Sequence, residues 1–428
     1  MIRFLQFSDI HFLFCEDPED DYAQMRIRFI EDLENVKKRF GLIDYILICG
    51  DIACRGQKNE YDKAKEFIES VSKALEVEGN RPNTFVVPGN HDIDRKNYET
   101  TRDLLRPTLL DMAKNNEFLR KIKHTEPDTL RMLYSPLSAY NEFAQPYFID
   151  EVSETIMIGD MGENCFDDKN YYWKCCIGKA GDYTINIYGL NSTLTCDGKE
   201  SAIKDLEEGY HLTFLPKPAY NILTYSNEIN ISMIHHPLDW LIDEEHVSST
   251  FDDRFKLQFF GHMHVQSSRS DKAIKIFSGA FQPEKKTDIK DCLPVYNIIE
   301  LNVDDAKMNV MLESRKWDGY YFVRYKEESK TMSVSLAAPD NWSKTTKEEA
   351  LKEPTIIEHT MIPINEINYM FINSDKQREI IEQLAPETFD DERSDRANCL
   401  IFLKLVKEKG LYQELLNKLN KRNGDSIR

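Results

Sequence analysis

Five times along this chain a short apolar run breaks off into acids, amides and imidazoles: Phe-Ser-Asp9-Ile-His11, Cys-Gly50-Asp51, Pro-Gly89-Asn90-His91-Asp92, Ile-His235-His236-Pro and Phe-Gly261-His262-Met-His264. In an α/β sheet the residues just beyond the carboxyl ends of strands gather along one edge, where ligands bind. Five separate segments ending this way therefore point at one place. Side chains two apart on extended backbone face the same way, so Asp9 with His11 and His262 with His264 are spaced to grip a cation as pairs. A glycine ahead of a ligand permits a tight turn and close backbone approach, which suits Gly50, Gly89 and Gly261.

The apolar runs place these blocks on strands. Ile2–Phe7, Tyr45–Cys49 and Thr84–Val87 alternate with amphipathic stretches Tyr22–Phe40 and Glu60–Val77, a strand-helix-strand-helix-strand reading. Strand-like runs return at Thr155–Ile158, Tyr171–Ile177, Thr184–Tyr188, Ile231–Ile234, Leu257–Phe260 and Ile274–Phe277. After Pro294 come Val295–Leu301, Met308–Leu312, Tyr320–Tyr325 and Met332–Leu336, patterned as a β meander. The sheet is expected to be mixed. Residues 95–150, punctuated by Pro107, Pro127, Pro136 and Pro146, read as a helical insertion or cap.

A chain of 428 residues exceeds what one core usually holds. The expected division is a domain over 1–340, a polar linker over 341–360 and a small helical domain over 361–428. In that last part Ser374 caps a helix bearing Ile380, Ile381 and Leu384, Ala397–Val406 makes a second, Gly410 stops it, and Leu411, Leu415, Leu416 and Leu419 line a third.

Composition excludes several classes. The net charge of −19 argues against a surface that binds polyanions everywhere and leaves room only for a local basic groove. Nine cysteines without a CxxC pair favour reduced thiols and a cytoplasmic location. The opening MIRFLQFSDIH reads as a first strand rather than an export signal, and no apolar run approaches the roughly 20 residues that span a bilayer. Carboxylates, imidazoles and an amide oxygen without a thiolate suit manganese first, with iron, zinc or nickel as alternatives.

In their order, D-x-H, G-D, G-N-H-D, a histidine after a strand and G-H-x-H, the five blocks resemble the signature of the calcineurin-like metallophosphoesterases over about residues 1–300. The resemblance implies an αββα four-layer sandwich of the α/β class and a dinuclear site in which Asp51 bridges two metals. Asp9, His11 and His264 would complete one metal's ligands, and Asn90, His235 and His262 the other's. Two divalent ions about 4 Å apart would activate water for in-line attack at phosphorus. His91 would protonate the leaving oxygen, Asp92 would orient its imidazole, and His236 would touch substrate. His124, His211, His246 and His359 lack such a context and read as surface or packing residues.

The acidic loop Glu16, Asp17, Glu19, Asp20 and Asp21 reads as a solvated loop, or as a mouth that repels nucleic acid. The extended block Val-Pro-Gly-Asn-His-Asp-Ile-Asp-Arg resembles bacterial members joined to signalling or defence modules. The tail from about Ile364 to Asn420 is similar to death-like or effector-associated adaptor domains, with a bundle that only packs as the competing reading. The expected function is a phosphodiesterase acting on nucleic acid or a nucleotide, coupled to a protein partner and independent of membranes. A phosphomonoesterase or protein phosphatase is the alternative, and a non-catalytic binding protein is a third reading.

Overall fold

The computed structural model describes residues 1–12, 22–94, 135–147, 172–196, 213–222, 224–242, 244–283, 293–336, 377–386, 402–403, 405–406 and 409–420. Most of 95–150, the run Thr155–Ile158, the acidic loop 16–21 and the expected linker 341–360 lie outside the described residues.

Strand β1 (Ile2–Phe7) is buried on both faces, and its alternation sorts side chains between two layers. Phe7 points toward helix α1 (Ala23–Phe40), with its ring centroid 5.9 Å from Phe29, while Phe4 meets Phe259 of the second sheet at 6.0 Å. Strands β2 (Tyr45–Cys49) and β3 (Asn83–Val87) run parallel to β1, linked through α1 and α2 (Lys58–Ala74). On the other side β10 (Val295–Asp304) pairs antiparallel with β1, then β11 (Lys307–Trp317) with β10, and β12 (Phe322–Arg324) and β13 (Lys330–Ser335) with β11.

The second sheet runs in the order β4 (Tyr172–Ala180), β5 (Tyr183–Leu190), β6 (Glu228–Ile234), β7 (Leu257–Phe260), β9 (Ile274–Phe277), β8 (Ser267–Ser270). Its four central strands are parallel and the two edges antiparallel. The layer between the sheets is aromatic, passing from Phe4 through Tyr45 and Phe85 to Trp173. Outside the second sheet, Val247 and Phe251 of the helix Glu244–Arg254 cover Tyr188, Phe260 and Phe277. Helices over two mixed sheets make the αββα sandwich, and both sheets send strand carboxyl ends to the edge that carries the five blocks.

Helix α1 is tied to the first sheet by buried ions as well as by apolar contact. Arg315 donates from Nε and Nη2 to the two oxygens of Asp32 at 2.7 Å each, and the Tyr296 hydroxyl donates to Asp32 Oδ2 at 2.6 Å. Paired oxygens and planar fork match in geometry, so the oxygens of the buried carboxylate are satisfied inside the layer.

Met1–Pro339 and Asp340–Arg428 form two compact units. In the second, helices Gln377–Leu384 and Tyr412–Asn420 share a core with Phe402 and Val406. Gly410 takes φ +67°, and Leu411 N donates to Val406 O at 2.9 Å, the six-to-one bond of a Schellman helix stop. No helix among the described residues is long and apolar enough to cross a membrane.

Candidate metal centre

Beyond their last residues β1 and β2 keep pairing. Asp9 N donates to Gly50 O, Ile10 N and His11 N to Asp51 O, and Phe12 N to Ile52 O, all within 2.9 to 3.1 Å. The second sheet joins the same edge, with Gly261 N donating to His235 O, His262 N to Asp9 Oδ2 at 3.2 Å and Gln282 N to Asp9 O. These bonds satisfy the loop backbones and fix the side chains they carry. Asp9, His11, Asp51, His262 and His264 all hold positive φ, between 48° and 69°. Left-handed backbone is costly for such residues, and its concentration here marks a place where packing over-determines the chain.

Four overlapping groups of donors result, each with its ligand atoms within 4.8 Å of one another: Asp9, His11 and His264; His11, Asp51 and His91; Asp9, Asp51 and His235; and His235, His236 and His262. Asp51 Oδ2 lies 3.3 Å from His235 Nε2 and 4.0 Å from His11 Nε2, between the two ends of the cluster. Asn90 Oδ1 is 3.1 Å from both His235 Nε2 and His262 Nδ1, which are themselves 3.2 Å apart. Asp9 Oδ1 faces His264 Nε2 at 3.2 Å. A carbonyl oxygen can only accept, so the 2.8 Å contact of His235 Nδ1 with Cys49 O fixes a hydrogen on Nδ1 and leaves Nε2 as the nitrogen that faces the cluster. The donor set fits divalent cations: imidazole, carboxylate and amide oxygen meet, and no cysteine joins any group.

The charge states agree with that fit. Burial opposes ionisation of Asp51, yet His235, His91 and His11 hold its carboxyl well below the usual range. Burial likewise opposes Asp9, and His264 outweighs it. Burial pushes His11 down to about 3 and His236 and His262 well below their ordinary value, leaving them neutral. His235 goes the other way: burial resists its charge, but Asp51 and then Asp9 raise it to about 9. A proton on His235 therefore competes with a cation for the same nitrogen.

Close approach explains two of the glycines. A Cβ on Gly50, whose φ is +91°, would come within 2.5 Å of His235 Nδ1, and one on Gly89 would overlap Asp51 Oδ1.

All seven expected ligands converge. The expected acid His91 is half-buried at the same cluster, and its backbone N donates to Asp51 Oδ1 at 2.8 Å. Two expectations require correction. Asp92 does not orient the His91 ring; His91 Nδ1 donates to Cys54 O at 2.9 Å. The Asp92 carboxylate instead accepts from Ile52 N, Ala53 N, Gly89 N and the Tyr61 hydroxyl at 2.8 to 3.3 Å, clasping the second block to the third. Burial, and then the charge of Asp51, push this carboxyl up to about 7 in spite of those donors. His236 does not offer a face to substrate. It is fully buried, with Nδ1 2.8 Å from Ser192 Oγ and Nε2 3.9 Å from Cys196 Sγ, so both nitrogens turn into the protein. Sequence reasoning missed Trp240, whose ring centroid lies 4.1 Å from that of His262, and the carbonyls of Cys49 and Cys54. Backbone acceptors leave no trace in residue type.

A model of the calcineurin-like phosphoesterase family matches residues 2–266. A Bacillus subtilis (strain 168) protein described as an uncharacterized metallophosphoesterase-like protein, YydB, is 26% identical over 326 residues, covering 72% of this chain and 58% of its own length. This chain therefore spans less than two thirds of that relative. Among solved structures, purple acid phosphatase PPD1 from yellow lupin (Lupinus luteus) seeds is similar at 12% identity and a TM-score of 0.38, over 79% of this chain and 54% of its own. Wild-type Vps29 complexed with zinc from Entamoeba histolytica is similar at 11% identity and a TM-score of 0.28, over 78% and 99%.

Two outcomes follow from this geometry. Whichever way its amide is turned, Asp92→Asn points an NH2 at a backbone N–H that can only donate, and should lower stability by about 1–3 kcal/mol in urea denaturation of the metal-free protein; a carboxylate that merely steered His91 would leave stability nearly unchanged. Because His235 must lose its proton to become a ligand, manganese binding should release at least one proton per chain near neutral pH and tighten as pH rises toward about 9. Calorimetric titration in buffers of different ionisation enthalpy measures that release.

Proposed function

The chain belongs to the calcineurin-like phosphoesterase family, and from that premise we propose that this metal-dependent phosphoesterase hydrolyses a phosphodiester in a nucleic acid or nucleotide. Asp9, His11 and His264 would hold one divalent ion and Asn90, His235 and His262 the other, with Asp51 serving both. Manganese is the proposed ion, with iron, zinc or nickel as alternatives, since a mixed imidazole and carboxylate set admits all four. When bound, the two ions supply Lewis acidity toward a phosphoryl group and lower the pKa of water.

The observation that carries the diester reading is the source of charge around the carboxylates. Among the described residues, the charges acting most on Asp9 and Asp51 are those of histidines, and no lysine or arginine is among them. Two dications less two carboxylates leave two positive charges, which one hydroxide and one diester monoanion balance. A monoester dianion exceeds that balance by one and calls for a further cation.

His91 is the acid of this proposal. With its Nδ1 hydrogen held by Cys54 O, Nε2 is the nitrogen that exchanges a proton on the half-buried side of the cluster. His91→Asn should cut hydrolysis of a sugar-alkoxide diester by roughly 10²–10⁴-fold, and that of bis-p-nitrophenyl phosphate far less, because p-nitrophenolate leaves without help. Initial rates with Mn2+ on both diesters and on p-nitrophenyl phosphate test this. A preference for the monoester would move the reading to a phosphomonoesterase or protein phosphatase.

The Asp340–Arg428 unit is proposed to recruit or restrain a protein partner, in keeping with the tail's likeness to adaptor domains and the third block's likeness to bacterial members joined to defence modules. The setting is then the bacterial cytoplasm. A chain ending at Leu351 should keep its hydrolytic rate and lose that partner in a pull-down.

A further inference from the structure

Eight large apolar side chains are exposed among the described residues, and four of them, Met263, Leu293, Tyr320 and Tyr321, stand on loops at the edge that carries the metal centre. Strand polarity puts them there. Gln6 of β1 pairs with Asn297 of antiparallel β10, and Val295 at the start of β10 pairs with Lys316 near the end of β11. Trp317 N then donates to Pro294 O, so the β11–β12 turn opens where β1 runs out into Asp9. Only β10 lies between β1 and β11, so the end of β11 that opens the turn is a lateral step of about 10 Å from β1. Met263 sits between His262 and His264 themselves.

The turn is built to present its tyrosines. Asp318 Oδ1 accepts from both Tyr320 N and Tyr321 N at 2.8 Å, Gly319 supplies φ +104°, and the next residue, Phe322, is buried against Phe29, Tyr296 and Trp317. With both ends anchored, Tyr320 and Tyr321 remain 76% and 58% exposed. The Arg28 guanidinium lies over the Tyr321 ring at 5.2 Å, and Lys316 lies over Tyr325 at 4.0 Å. Glu31 pairs with Arg28 at 2.7 Å, leaving Lys316 as the one of these two cations without an acid partner among the described residues. The two backbone donors on Asp318 hold its carboxyl below the usual range, so it stays ionised and the rings rather than net charge must carry the binding. Rigid aromatic faces flanked by cations are how proteins bind single-stranded nucleic acid, bases stacking on rings and phosphates meeting the cations. With a net charge of −19, the chain must bind a polyanion through local groups rather than through its overall field.

We propose that Tyr320 and Tyr321 form a stacking platform for unpaired bases flanking the scissile phosphate, which makes single-stranded nucleic acid the substrate. This rests on the phosphodiesterase reading above. Duplex bases are stacked on one another and offer these rings no free face.

The test measures fluorescence anisotropy of labelled single-stranded DNA and RNA of about a dozen nucleotides, and of a DNA duplex, with full-length protein in Mn2+ and the His91→Asn background to prevent turnover. Tyr320→Ala/Tyr321→Ala should weaken single-strand binding about tenfold or more, and Tyr320→Phe/Tyr321→Phe should restore it. Tyr225, exposed just before the amino end of β6 and hence at the opposite edge, provides the control: Tyr225→Ala should bind as before. Metal content measured on each variant shows whether the centre is intact. Unchanged single-strand affinity in the double alanine variant, equal loss in the phenylalanine variant, or tighter binding of duplex overturns the platform. Hydrolysis of bis-p-nitrophenyl phosphate by the unsubstituted protein is read separately: its absence overturns the diesterase reading, whereas its presence beside unaltered oligonucleotide binding overturns only the platform.

Discussion

Asp9 and Asp51 are buried almost completely within a few ångströms of each other, and the negative charge they share is the constraint around which the rest of this molecule is arranged. Burying an ion is costly unless it is paired, and two like carboxylates compound the cost. Imidazoles converge on them from three other segments, and the carboxylates in turn raise His235 and His264 above their ordinary value. The two sheets of the sandwich meet this demand together. The first delivers Asp9, His11, Asp51 and Asn90, the second delivers His235, His262 and His264, and bonds such as His262 N to Asp9 Oδ2 close the edge between them.

Holding that convergence takes strain and a dedicated clasp. Five donors sit on left-handed backbone, and Asp92 spends its whole carboxylate on three backbone N–H groups and a tyrosine hydroxyl. A third carboxylate in the cluster therefore works on geometry rather than on protons. His236 does likewise from the second sheet, pinned to Ser192 behind His235 and His262. The donors of the cluster that keep some exposure are the half-buried His91, His262 and His264.

Much of this was legible in the residues. Runs such as Tyr45–Cys49, Leu257–Phe260 and Ile274–Phe277 form strands over those very bounds because every position is apolar or lies on a two-residue period. Strand β8 went unseen because Ser267–Ser270 contains no apolar residue and pairs only at a sheet edge. The extent of β11 was underread past Leu312, where Ser314 and Arg315 look like loop residues until Asn297 and Asp32 are seen to satisfy them. Tyr320 and Tyr321 have strand propensity but stand in a turn, since Asp318 and Gly319 supply local bonds and a φ that a strand cannot. The roles of Asp92 and His236 were misread for one reason: residue type announces that a group can do chemistry, and only its hydrogen bonds reveal that its lone pairs and protons are already committed.

The most direct measurement of the central claim is anomalous diffraction at the manganese edge from crystals of the full chain grown with Mn2+. The account predicts two peaks flanking Asp51, one among Asp9, His11 and His264 and the other among Asn90, His235 and His262. A single peak away from Asp51, or none in protein that otherwise retains this fold, would contradict it.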